Sequence, residues 1–157
     1  MHALVIYLSY IIGGMNTTHI LETLLVSSHR LTRLAAQSTG SSVSSATWAA
    51  LSVLSTDGPH RIGDLARAAR ISQPGMTKLL QGLVEDEWVY RIADVEDSRA
   101  WLIAISDKGR AALAGWRVEL ASAMAPVFSD LDAEGWRVLE RATAILSERV
   151  AAAAVAA

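Results

Sequence analysis

Between Ser72 and Leu83 the chain reads SQPGMTKLLQGL. Within it Gln73, Thr77, Lys78 and Gln81 recur at steps of four, one and three residues. In a helix they share one face, with Met76, Leu79, Leu80 and Leu83 on the opposite, core-facing side. Those four polar side chains match the groups along the edges of base pairs. A glutamine amide reads adenine bidentately, a threonine methyl meets that of thymine, and a lysine takes guanine or a phosphate oxygen. The residues that open the segment leave its first turn accessible: Ser72 caps it, Pro74 is tolerated there and Gly75 adds no bulk. Backbone N–H groups at such a start can approach phosphates. Ser72, Gln73, Pro74, Gly75, Thr77, Lys78 and Gln81 are therefore candidate DNA contacts.

The charge distribution agrees. From His60 to Gln81 the cations Arg61, Arg67, Arg70 and Lys78 outnumber the single carboxylate Asp64, whereas Glu85, Asp86 and Glu87 lie at the far end of the same helix. Of these, Arg61 and Arg67 are as readily solvated as phosphate-bound. The whole chain, 157 residues with a net charge of −2, is not coated in basic groups, so DNA binding would rest on this local patch. With 52% hydrophobic and 19% charged residues it is no disordered chain, and its length suits one domain with a core, with or without a dimerisation arm. The absence of cysteine excludes disulfides, thiolate metal sites and thiol switches. His19 and His29 would stand about 80° off a common helical face, which does not make a metal pair. No nucleophile with its base, Gly-rich phosphate loop or metal-spaced cluster is visible, so neither catalysis nor a cofactor nor a metal is expected.

The elements that must position this helix are legible from periodicity. NTTHILETLLVSSHRLTRLAAQS repeats apolar residues at Ile20, Leu21, Leu24, Leu25, Leu31 and Leu34, a first long helix. A Ser/Gly loop leads to SATWAALSVLST, a second helix stopped by Asp57-Gly58-Pro59. RIGDLARAA is a third, burying Ile62, Leu65, Ala66 and Ala69. It runs almost directly into the quoted segment, with the small Ala66 at the crossing, which is the form of a helix-turn-helix. In such a unit the second helix enters the major groove. WVYRIA and AWLIAIS, separated by the polar DVEDSR, predict a β-hairpin. Arg99 just beyond its tip and Arg91 at its base are placed for the minor groove or a phosphate, with Asp97 or Asp94 orienting Arg99.

From SDKGRAALAGW a helix runs to about Pro126, and another follows with Asp132 as its N-cap. Trp48 is expected in the core, and Trp116 and Trp136 as anchors of a dimer core. The apolar run Ala3 to Ile12 falls short of the ~20 residues of a membrane span. It fits a segment packing in the dimer region or an extension upstream of a start at Met15 better than a secretory signal.

The stretches ATWAALSVLSTDGPHRIGDLA, LARAARISQPGMTKLLQGLVEDEWVYR and DVEDSRAWLIAISDKG, in this order, resemble the MarR family of winged helix-turn-helix regulators, continuously from about Val43 to Ala112. Asp94, Asp97 and Arg99 in the wing and the ISDKG that follows carry the likeness most specifically. The resemblance implies a mainly α fold with a small β-hairpin wing and dimerisation helices from both termini. Residues 1–42 and 111–157 would dimerise and 43–110 would bind DNA. It implies a cytoplasmic homodimeric repressor on a pseudo-palindromic operator, released by a small, often aromatic and anionic, effector, for which His29 and Trp48 are the candidate contacts.

The chain also departs from the family. Arg70 stands where glycine often joins the two DNA-binding helices, which brings another phosphate contact or a less relaxed turn. Ser98 and Ile92 replace basic residues common in the wing. Trp88 replaces a glycine before the hairpin, so a positive φ cannot be needed there. The alternative function is a winged-helix module that binds another protein instead of DNA.

Overall fold

The computed structural model describes residues 17–40, 43–95, 97 and 100–156. Along the chain the elements are α1 (Thr17–Thr39), α2 (Ser45–Thr56), β1 (His60–Arg61), α3 (Ile62–Ala68), α4 (Gln73–Glu85), β2 (Val89–Ala93), β3 (Trp101–Ile105), α5 (Asp107–Met124), a 3₁₀ turn (Ala125–Phe128) and α6 (Ala133–Ala156). They fall into two compact units, one through Ala123 and the other Met124–Ala157. The apolar run Ala3 to Ile12, Met15, Ser98 and Arg99 lie outside the described residues.

Helix starts in the first unit follow their caps. Ser44 Oγ accepts from Thr47 N at 3.2 Å ahead of α2, and Ser72 Oγ accepts from Gly75 N at 3.3 Å ahead of α4. α2 ends where expected, with Gly58 at φ +83° before Pro59. The core is built from one apolar face of each element: Leu51 and Leu54 from α2, Leu65 from α3, Met76 from α4, Ile103 from β3 and Leu113 from α5 are all fully buried. Leu80 and Leu83 join them and Leu79 packs alongside, so the division of α4 into a core face and a polar face holds. Ala66 is buried at the α3–α4 crossing, as its size requires.

The sheet is antiparallel in the order β1-β3-β2. The expected hairpin pairs Val89 with Ile105 through Ala93 with Trp101. The third strand, in which His60 faces Ile103 and Arg61 faces Leu102, is an addition to the two-stranded wing expected from sequence. Two residues offer no alternation to detect, yet they tie the start of α3 to the wing.

On α1 the apolar stripe is present but uncovered: Ile20, Leu21, Leu25, Leu31 and Leu34 are 37% to 69% exposed, while Ala35 is buried. The second unit opens with the 3₁₀ turn that contains Pro126. Asp132 Oδ1 accepts from Gly135 N at 2.8 Å and so caps α6 as expected. Within this unit the rings of Phe128 and Trp136 meet at 6.2 Å.

Among the described residues, two that bear side chains occupy the left-handed region, Arg70 at φ +55° and Glu87 at φ +61°. Trp88 does not, so the positive φ at the hairpin start is taken one residue earlier. A left-handed conformation costs a residue with a Cβ roughly 1–2 kcal/mol. Arg70→Gly is therefore expected to stabilise the fold by about 1 kcal/mol, read as a raised denaturant midpoint. A lowered midpoint would mean that the arginine side chain itself holds the turn.

Candidate nucleic-acid interface

The polar face of α4 is fully outward. Gln73, Thr77, Lys78 and Gln81 are exposed, as are Ser72, Pro74 and Gly75 at its start and Arg70 in the preceding turn. Thr77 Oγ1 donates to Gln73 O at 3.0 Å, so its hydroxyl is engaged within the helix and its methyl remains for apolar contact. A Cβ on Gly75 would lie 3.0 Å from Ser72 Oγ, which ties this glycine to the closeness of the cap. Arg67 pairs with Asp64 at 2.9 Å on the surface, leaving Arg70 and Lys78 as the cations nearest the contact face that form no ion pair with a described residue.

The wing adds Arg91, exposed on β2, and Asp97, exposed in the turn. Arg61 differs from its sequence reading, because β1 brings it against the root of the wing. Its Nε and Nη2 donate to Asp94 Oδ2 at 2.9 and 2.7 Å, and Nη2 lies 3.9 Å from Asp97 Oδ2. The hydrogen bond and charge of Asp94 hold the guanidinium above its ordinary pKa, so it stays a cation. Asp94, one of the two carboxylates offered from sequence to orient Arg99, is held by a cation that is 33 residues away in sequence.

At the far end of α4, Lys108 Nζ donates to Glu87 Oε2 at 2.9 Å, and Ser106 Oγ donates to Glu87 O at 2.6 Å. The hydrogen bond and positive charge of Lys108 hold the Glu87 carboxyl below its usual value. A carboxyl depressed in the folded state contributes stability above its unfolded pKa and loses it as pH falls through the folded one. The melting difference between wild type and Glu87→Gln should therefore be present at neutral pH and close below about pH 4.3. Both side chains are exposed, so salt should shrink it too. A difference unchanged at low pH would assign the effect to something other than this pair.

A cavity of about 470 Å³ opens between α1, α2 and α5. It brings together His29 and Trp48, the two effector candidates, and adds Arg33 and Trp116, which sequence reasoning did not assign to it. Arg33 was within reach, four residues after His29 on one helix face. Trp116, expected to anchor a dimer core, stacks on Trp48 at 4.7 Å, and Trp88 stacks on Trp48 at 5.7 Å. Trp48 is buried with its Nε1 unpaired among the described residues.

A short helix crossing a capped, polar-faced helix, followed by a hairpin wing that pairs with a short strand ahead of both, defines a winged helix-turn-helix. The sequence model of the MarR family matches residues 43–101, the segment whose motifs resemble that family. Over 63 residues the chain is 35% identical to YpoP of Bacillus subtilis (strain 168), described as an uncharacterised HTH-type transcriptional regulator. That match spans 40% of this chain and 45% of the relative's length. Among solved structures, transcriptional regulator Tm0710 from Thermotoga maritima is similar with a TM-score of 0.61 and 20% identity, covering 85% of this chain and 96% of that one. Wild-type MarR from Escherichia coli in its apo form gives 0.63 and 16%, covering 80% and 93%. At these identities the likeness is one of fold. No helix among the described residues is long and apolar enough to cross a membrane.

Proposed function

We propose that the protein is a sequence-specific DNA-binding transcriptional regulator. The carrying observation is the exposed row Gln73, Thr77, Lys78 and Gln81 on a capped helix whose opposite face is locked in the core beside a wing. Ser72, Pro74, Gly75 and Arg70 place backbone and charge at the phosphates, and Arg91 and Arg99 supply the wing contact, with Asp97 orienting Arg99. Residues 43–110 form the DNA-binding part, and residues 1–42 and 111–157 pair two copies in the cytoplasm. The uncovered leucine stripe of α1 supports that pairing, because a monomer gains nothing by exposing it. Two copies related by a twofold axis would read half-sites about 34–36 Å apart.

Regulation is repression released by a small aromatic anion in the cavity. Trp48 and Trp116 offer ring faces, and Arg33 and His29 offer positive charge and hydrogen bonds. Selection of bound duplexes from a random pool tests the reading. An inverted repeat with that spacing is the expected result, and a pool that stays random after repeated rounds would overturn it.

A further inference from the structure

We infer that Arg61 is a positioning residue for the wing: its guanidinium grips the Asp94 and Asp97 carboxylates and sets the turn between β2 and β3 against the start of α3, without touching DNA itself. The inference rests on the DNA-binding reading above and assigns a task to a cation outside the contact face.

Asp94 directly follows the last paired residue of β2, where Ala93 faces Trp101. The turn is closed by backbone bonds from Asp94 N to Ala100 O at 3.2 Å and from Ala100 N to Asp97 O at 2.8 Å. Asp94 is only 8% exposed, an unusual place for a carboxylate, and two guanidinium N–H groups meet its Oδ2 there. A buried carboxylate without such a partner is costly, so the pair fixes where the turn can lie. The grip is anchored on the other side because Arg61 is held in β1 opposite Leu102 of β3. Although Arg61 is 45% exposed, its charge is committed between two carboxylates.

A direct contact and a positioning role differ in sign and in salt dependence. The test uses the full chain and the duplex selected above, with Arg61→Gln, Arg61→Lys, Asp94→Asn, Asp97→Asn and the Arg61→Gln/Asp94→Asn double variant, each also followed by thermal melting. Removing a carboxylate near DNA would by itself strengthen binding. The positioning role predicts the reverse: Asp94→Asn and Asp97→Asn weaken it. Arg61→Gln should weaken it about tenfold or more with the salt slope unchanged. Arg61→Lys should not restore it, since a single ammonium cannot reproduce the guanidinium fork. The double variant should be no worse than the poorer single one.

A salt slope lowered by about one per protomer in Arg61→Gln, together with rescue by lysine, would make Arg61 a phosphate contact and overturn the inference. Tighter binding by Asp97→Asn, an exposed change that leaves the core untouched, would overturn it as well. Wild type that binds no selected duplex would defeat the DNA-binding reading itself, whereas wild-type binding unaffected by Arg61→Gln would defeat this inference alone.

Discussion

Lys78→Glu is expected to reduce operator binding by a factor of about a thousand or more while leaving the melting temperature within a degree or two of wild type. Lys78 sits in the second turn of α4, exposed, with no ion pair to a described residue. No described residue pairs with its charge. On DNA a lysine contact contributes roughly 1–3 kcal/mol, and reversing the charge adds repulsion from the same phosphates. Two copies bind each operator in the proposed dimer, so the loss enters twice. Electrophoretic mobility shifts at fixed salt measure it. Lys78→Ala separates the two modes of contact, because a phosphate contact weakens all sites evenly whereas a guanine contact relaxes preference at one base pair. Unchanged affinity in Lys78→Glu would remove α4 from the interface.

Gly109→Ala carries the largest expected loss of stability. Gly109 is buried in the first turn of α5, and a Cβ there would fall onto the carbonyl oxygen of Trp88, with Ile105 Cγ1 and the Trp88 carbonyl carbon each at 3.0 Å. The obstacle is backbone that cannot yield, since Trp88 O accepts from Ser106 N at 2.9 Å. The start of α5 would have to move off the start of β2, at a cost of about 3 kcal/mol. For a domain of this size that lowers the melting temperature by about 10 °C. Trp88 stacks on Trp48, so the near-ultraviolet circular dichroism of the tryptophans should change with it. Gly115→Ala is the control: no atom lies within 4 Å of its Cβ, and an exposed helical glycine replaced by alanine gains up to ~1 kcal/mol. Equal midpoints for the two variants would show that the α5–β2 approach is not tight.

What could be read from sequence was what local periodicity and caps encode. Met76, Leu80 and Leu83 identify the inner face of α4 by spacing alone, and Ser72 and Asp132 announce their helices by residue type. β1 escaped because two residues carry no period. Its consequence escaped with it, since the Arg61–Asp94 pair depends on a strand register that joins residues far apart in the chain. The cavity was half legible: His29 and Trp48 were picked out, but Trp116 reads as one more apolar residue of a helix until its ring is found on Trp48. The left-handed turn was signalled only by comparison, with Arg70 standing where glycine is common. It marks a place where the chain keeps a charge next to the contact helix at the expense of backbone comfort.

Recognition of a specific duplex by two copies of the winged domain is measured by fluorescence anisotropy. The full chain is titrated onto DNA from just upstream of its own gene and onto pooled genomic fragments, each against a scrambled duplex and over a range of salt. A selected site bound tightly, with affinity falling steeply as salt rises and two protomers per duplex at saturation, is the expected result. Equal binding to scrambled DNA at every salt concentration, or none to any fragment, would contradict it and leave a winged-helix module whose partner is another protein.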